Sequence, residues 1–281
     1  MVPFSCHELQ IANFEFQVSS FQFQSPLDPS RPRPDTLDDM TEEGIRLDKY
    51  LADCGVASRR RSAELVRQGR VQVDGATADE PGVRIDPQTS DVSADGKPVK
   101  APRRLLTIKF YKPRGVICST NAKQGRTIYE CLHDVEERVV PAGRLDKDSE
   151  GLLILSNDGD LVHRLTHPRF EHAKTYRVSI SGHLDASILQ RLNQPMTLDG
   201  YCIRPARVSH LRATSDGRHE LLEFTLKEGR NRQIRKMCDR FGLRIHRLVR
   251  TEVAGIRLTP LKPGGWQELS AAERAAVRQY V

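Results

Sequence analysis

Hydrophobic positions follow two rhythms along this chain. From Arg46 to Asp53, Leu47, Tyr50 and Leu51 stand at i, i+3 and i+4, which predicts a short amphipathic helix stopped by Gly55. Ser58 is placed to cap a second helix, Arg59 to Gln68, and Gly69 to end it in the left-handed conformation. The period then falls to two. Val71 and Val73 alternate with polar residues up to Asp74-Gly75, a hairpin signal, and Asp95-Gly96 marks another turn. Lys97 to Arg104, with two prolines and four basic residues, reads as a linker.

From Leu105 the pattern becomes mixed. Leu106, Ile108 and Phe110 alternate as a half-buried strand broken by Lys112-Pro113. Further strands are predicted at 151–156, 174–181, 219–226 and 253–258, and helices at 159–166, 185–193 and 231–241. The elements intermingle without regular βαβ spacing, so the expected class is α+β with a largely antiparallel sheet. The expected division is a tail over 1–43, a small domain over 44–96, a linker over 97–104 and a larger domain over 105–281.

Composition narrows the setting. A chain of 281 residues accommodates two domains, and no apolar run approaches the ~18 residues of a membrane span. The six cysteines are scattered without a CxxC pair, which suits reduced thiols better than disulfides or zinc. No Lys or Arg occurs in the first 30 residues, so no basic signal region is present. A soluble, cytoplasmic protein is expected. Residues 1–43 hold eight acidic residues against Arg31 and Arg33, a charge of −6, so with a net charge of +7 residues 44–281 carry +13. That charge attracts phosphate backbones. The acidic, proline-rich stretch to Asp39 is expected to be solvated and disordered, either a dispensable tail or sequence upstream of the true start.

Four groups of residues are candidates for chemistry. Gly143 to Leu153 crowds Asp146, Asp148 and Glu150 with Arg144 and Lys147 into a turn at the mouth of an apolar strand. Arg59, Arg60 and Arg61 at a helix start oppose the helix dipole unless an anion is near, and with Arg67 and Arg70 they suit an RNA backbone or a plain solvated face. Between Lys227 and Arg250 stand nine cations and two acids. There Asn231 is placed to cap a helix with Ile234, Met237, Cys238 and Phe241 inward, Gly242 to end it, and Arg230, Arg232 and Lys236 to meet phosphate. Tyr176, on the alternating strand Lys174 to Val178, is either a core aromatic or a base-stacking ring. His163, His167 and His172 lack metal-ligand spacing, so no metal is expected.

On these residues the chain resembles a known family. Arg46 to Gly75, with Gly-Val-Ala-Ser-Arg-Arg at 55–60 and Gly-Arg-Val-Gln-Val-Asp-Gly at 69–75, resembles the S-four-type RNA-binding domain. Lys112-Pro113, Gly143-Arg144-Leu145-Asp146, Lys174-Thr-Tyr176-Arg-Val and Glu228-Gly-Arg-Asn-Arg-Gln-Ile-Arg235-Lys-Met resemble, in order, the RsuA/RluB/RluE/RluF family of ribosomal RNA pseudouridine synthases. The resemblance implies a small N-terminal RNA-binding domain of αL type and a mixed, largely antiparallel synthase domain. It implies isomerisation of uridine to pseudouridine in rRNA without cofactor or metal. By motif position it makes Asp146 the catalytic aspartate, Tyr176 the active-site tyrosine, Arg235 the basic partner of Asp146 and Arg144 a substrate-loop residue.

These residue types suit that reaction. Moving C1′ from N1 to C5 calls for a carboxylate acting as nucleophile or base. A cation at ~4 Å from it contributes about 4 kcal/mol at an effective dielectric near 20, which keeps it ionised. A tyrosine can stack on the detached uracil, and the base must first leave its stack, at a cost of a few kcal/mol. The Gly143–Ser149 and Asn231–Cys238 runs are most similar to the RluF branch, which implies large-subunit (23S) rRNA. A small-subunit (16S) enzyme of RsuA type and a non-catalytic rRNA-binding or assembly factor remain alternatives. The expected partner is rRNA or a pre-ribosomal particle, met by a monomer.

Overall fold

The helix and hairpin signals at the N-terminal end are realised nearly residue for residue. The computed structural model describes residues 44–279 apart from 102–103, 121 and 215–216; the acidic, proline-rich segment 1–43 lies outside the described residues. Helices α1 (Leu47–Asp53) and α2 (Arg59–Arg67) pack Leu47, Leu51 and Val66 against Val71, all with no exposed surface. Ser58 Oγ accepts the Arg61 N–H at 3.4 Å. Gly69, at φ 68°, turns the chain so that the Arg70 N–H reaches back to the Leu65 carbonyl, 3.1 Å. Strands β1 (Val71–Val73), β2 (Ala76–Thr77), β3 (Val92–Ala94) and β4 (Lys97–Pro98) form an antiparallel sheet in the order β2-β1-β3-β4. Asp74-Gly75 and Asp95-Gly96 both take positive φ, the geometry that a two-residue hairpin needs. Lys97 and Pro98, read as linker, instead pair with Ala94 and Ser93 because the second hairpin turn feeds them back onto β3.

Among the described residues the larger domain is built on a nine-stranded sheet. Its main strands are β5 (Thr107–Lys112), β6 (Glu150–Ser156), β7 (Lys174–Ser181), β8 (Arg207–Ala213), β9 (Glu220–Leu226), β10 (Arg244–Val253) and β11 (Trp266–Glu268). They stand in the order β8-β9-β7-β10-β6-β5-β11, with Val140–Pro141 added to β6 and Ile256–Arg257 to β10. Among the described strands of this sheet every pairing is antiparallel except one. Between β6 and β10 the strands run parallel for two residue pairs, Glu150 with Val249 and Gly151 with Arg250. That short seam joins two half-sheets that are packed by three hydrophobic cores. One core gathers Val178, Ile180, Leu222, Phe224 and Met237; the others gather Leu152 and Ile154 on one face of β6 and Leu153 and Leu155 on the opposite face. Helices α3 (Gly159–Thr166), α4 (Ala186–Leu192), α5 (Gln233–Asp239) and α6 (Ala271–Gln279) complete the mixed, mostly antiparallel α+β architecture.

Three expectations are corrected. The strand at Leu106–Phe110 is buried on both faces, not half-buried, because its polar side finds partners inside: Thr107 with Ser156 at 2.8 Å and Lys109 with Glu273 of α6 at 2.7 Å. The span 253–258, expected as one strand, holds only the last residue of the long β10, a turn at Ala254-Gly255 and the short strand Ile256–Arg257 that folds back on β10. The rest of β10, from Arg244, was missed because its charges mask its alternation. Helix α5 is shorter than 231–241, and Asn231 does not cap it. Arg232 takes that position in the left-handed conformation (φ 52°), and the Gln233 side chain closes the preceding loop, accepting from the Arg230 N–H and donating to Glu228. At its other end Gly242 (φ 67°) lets the Leu243 N–H reach the Cys238 carbonyl, as the glycine signal predicts.

Candidate active site

Asp146 sits in a turn closed by a hydrogen bond from the Ser149 N–H to its own carbonyl, 3.1 Å, just before the chain enters β6. The turn is clamped from several sides. Leu145 is anchored in the core of the β7–β9 half-sheet, and its carbonyl lies 3.6 Å from Cys118 Sγ. The Gly115 N–H donates to the Lys147 carbonyl at 2.8 Å. Lys112, wholly buried at the end of β5, donates to the Ser149 carbonyl at 2.7 Å and to that of Pro113 at 3.0 Å. Burial pushes its ammonium below the ordinary lysine range, and the negative charges of Asp146 and Glu150 oppose that shift. Glu150, the next residue after the turn, is fixed by Arg247 at 2.7 Å and by the Tyr111 hydroxyl at 3.2 Å. Burial alone would raise the Glu150 pKa, but these partners hold it below the usual carboxylate value. Gly151 follows at φ 107°, where an added Cβ would stand 2.3 Å from the Arg250 carbonyl oxygen. Only glycine lets the two half-sheets meet this closely.

A cleft of about 520 Å³ opens over this turn. Asp146, Arg144 and Ser149 line one part, Tyr176 and Lys174 of β7 another, and the segment from Leu226 to Arg235 a third. Its cations are Arg144, Lys174, Arg204, Lys227, Arg230, Arg232, Arg235 and Arg250, against three carboxylates, Asp146, Glu171 and Glu228. Such a cleft concentrates anionic ligands. Asp146 is about one-third exposed at its side chain, open to a ligand yet partly shielded. Tyr176 is mostly buried, set in register between Phe224 and Arg250. Burial, helped by the charge of Arg250, pushes Lys174 below its ordinary value while it donates to the His172 carbonyl at 3.0 Å. Arg250 itself is buried and donates to the Leu152 carbonyl at 2.7 Å across the parallel seam.

The structure redistributes the expected cationic roles. Arg235 turns inward, but it does not pair with the Asp146 carboxylate. Standing in the first turn of α5, it donates to the Asp148 carbonyl at 3.1 Å and to Ser149 Oγ at 3.2 Å. Its Nε is buried without a hydrogen-bond partner, and burial together with nearby Arg232 lowers its pKa. The guanidinium nearest Asp146 is that of Arg232, 3.9 Å from Oδ2 and 4.0 Å from Asp148. Arg230 lies over the Tyr201 ring, and Lys236 pairs with Asp199. Of the N-terminal arginines, Arg59 pairs with Asp48, Arg61 with Glu64 and Arg70 with Asp95, so the anions facing that helix start are the protein's own. Arg60 and Arg67 are exposed, and none of the five lines the cleft. Sequence reasoning missed Lys112 and Arg250 as working parts, and it missed Tyr201 entirely. The Lys112-Pro113 pair was a signal for the first; the others carry none. Among the described residues, no three His, Cys, Asp or Glu side chains gather as a metal site, and no helix is long and apolar enough to cross a membrane.

Comparisons with known proteins agree with this geometry. Residues 45–90 match the S4 domain family, and residues 107–240 match the family described as RNA pseudouridylate synthase. A protein of Aquifex aeolicus (strain VF5) named as an uncharacterized RNA pseudouridine synthase is 39% identical over 84% of this chain and 95% of its own. The "Ribosomal large subunit pseudouridine synthase B" of Bacillus subtilis (strain 168) is 34% identical over 83% of this chain and 95% of its own. A crystal structure of a pseudouridylate synthase shares the fold, with a TM-score of 0.57 and 24% identity over 84% of this chain and 100% of that one. With its S4 domain ahead of a synthase domain, the chain belongs to the RNA pseudouridine synthases of the RsuA/RluB type, enzymes that isomerise uridine in RNA.

Proposed function

We propose that this enzyme makes pseudouridine in ribosomal RNA, in the large subunit, with Asp146 as its catalytic carboxylate. The carrying observation is that Asp146 is the one carboxylate of its turn that opens into the cation-lined cleft shared with Tyr176. Large-subunit rRNA is favoured by the 34% identical Bacillus subtilis relative, which is named for that substrate. The RNA is held by the cationic cleft and the S4 domain, and the target uridine leaves its stack to enter. Asp146 acts on the nucleotide while the C1′–N1 bond breaks and C1′ joins C5; the C5 proton is then lost and N1 regains one, so the base is isomerised without net change in atoms. Tyr176 holds the detached ring, Arg235 fixes the turn that carries Asp146, and Arg144 lines the substrate side. The small domain through β4 serves binding and residues 105–281 serve catalysis, with a connecting segment between them, in a monomer acting in the cytoplasm.

The test is a map of pseudouridines in rRNA from a strain lacking this gene. Loss of one 23S site supports the reading, loss of a 16S site moves the enzyme to the small subunit, and an unchanged rRNA map sinks it. Asp146→Asn is expected to bind the same RNA and form no product; product at the wild-type rate would remove Asp146 from the reaction.

A further inference from the structure

Tyr201 is an aromatic residue that the reaction at Asp146 leaves unexplained. It stands on the short hairpin Thr197–Leu198 and Tyr201–Cys202, whose Asp199-Gly200 turn has positive φ at both residues. The hairpin is tied to α5 by the pair between Asp199 and Lys236. Tyr201 keeps 41% of its surface exposed and lines the same cleft as Asp146. A structural tyrosine would bury its ring; this one presents it at the mouth of a cationic cleft. The guanidinium of Arg230 covers one face, 3.0 Å from the ring centroid. Arg230 is in turn steadied by Glu228 at 3.7 Å, and Glu228 is itself held by Gln233 Nε2 at 2.8 Å and by the Arg204 N–H at 3.0 Å.

We propose that Tyr201, backed by Arg230, is a stacking platform for an unpaired nucleobase next to the target uridine. A planar cation on one face and a planar base on the other make a three-layer stack, in which both contacts use the ring's π surface. The ring is held ready before RNA arrives, so little ordering is needed on binding. The platform accounts for the use of Arg230 on an aromatic ring and not on phosphate. It also gives the enzyme a means of favouring a target whose neighbour is already splayed out, since a paired neighbour must first be unstacked. The inference rests on the enzyme's action on RNA, not on rRNA being the substrate.

The experiment uses an RNA oligonucleotide that the wild-type enzyme modifies, whichever RNA class that proves to be, so failure on rRNA sinks only the rRNA reading. 2-Aminopurine replaces, in turn, each nucleotide flanking the target. Stacking on tyrosine is expected to quench its fluorescence at one position in the wild-type complex. Tyr201→Leu should relieve that quench and raise Kd about tenfold, the usual scale for losing one stacked base. Tyr201→Phe should retain both, which separates the ring from its hydroxyl. If Tyr201→Leu lowers the melting temperature, Tyr201→Thr, with good strand propensity, takes its place. Wild-type affinity in these variants, or a quench that survives loss of the ring, overturns the proposal.

Discussion

Arg232 stands 3.9 Å from the Asp146 carboxylate without donating a hydrogen bond to it, whereas Arg235, one turn further on, donates two hydrogen bonds to the loop that carries Asp146. The two arginines therefore divide what a single ion pair would do. Arg232 supplies charge through a partly solvated gap; Arg235 supplies position.

That division predicts unequal losses. Arg235→Met removes two charge-assisted hydrogen bonds, each on the order of 1.5–3 kcal/mol, and is expected to lower kcat about 100-fold or more. Arg232→Gln removes a charge whose attraction is reduced by solvent, since its side chain is 44% exposed, and about 1 kcal/mol, or fivefold in kcat/KM, is expected. The Arg232 effect should shrink in high salt and the Arg235 effect should not. Single-turnover kinetics at two ionic strengths decide; equal losses with equal salt dependence would refute the division.

Gly151 predicts a different failure. With φ at 107° and a Cβ position 2.6 Å from the Arg250 nitrogen, Gly151→Ala cannot be accommodated without parting β6 from β10. A cost of roughly 3 kcal/mol or more follows, a fall of about 10 °C in melting temperature. Activity should fall with it, because the same seam ends the Asp146 turn. A melting curve and a turnover assay on the purified variant are sufficient, and an unchanged melting temperature would contradict the seam's close approach.

How far the chain could be read in advance follows from the range of the forces involved. Ser58, Gly69, Gly242 and the two Asp-Gly hairpins act through neighbours a few residues away, so they were legible. The Asp146 turn was legible because acids, cations and glycines crowd into one short stretch before an apolar strand. Lys109, Lys112 and Arg250 were not, since a buried cation looks like a surface one until its partner, Glu273, Ser149 or Leu152, is brought from far along the chain. The placement of Arg232 beside Asp146 depends on one left-handed residue, which an arginine seldom adopts and its sequence neighbours do not announce.

The Glu150–Arg247 pair ties stability to pH with a definite sign. Glu150 has a folded pKa below its ordinary value of 4.5, so its pairing stabilises the protein above that value, and this is lost as pH falls through the folded pKa. In Arg247→Gln the carboxylate keeps its burial but loses its cation, so its charged form becomes a cost at neutral pH. Arg247 is more than half exposed, which limits the difference to about 1–2 kcal/mol, or roughly 3–6 °C, at pH 7. The gap between wild type and variant should narrow below pH ~4.5, as protonation removes the charge that Arg247 serves. A gap that stays constant or widens in acid would exclude Glu150 as the group responsible.

Arg59 and Arg60 are neighbours on one helix, yet their substitutions should act through different properties. Arg59 reaches Asp48 at 3.0 Å, and the Asp48 side chain is only 9% exposed. Burial alone would raise the Asp48 pKa, but Arg46 and Arg59 together hold it below the usual carboxylate range. Arg59→Ala leaves that carboxylate with Arg46 alone, so it should destabilise the S4 domain by about 1 kcal/mol as well as weaken RNA binding. Arg60 is exposed and free to face solvent or phosphate. Arg60→Ala should leave the melting temperature unchanged, weaken RNA binding and reduce the slope of log K against log salt by about 1. Binding titrations over a salt series, paired with melting curves, separate the two roles. A stability loss for Arg60→Ala would contradict its solvent-facing place, and none for Arg59→Ala would show that the Asp48 pairing does not hold the domain together.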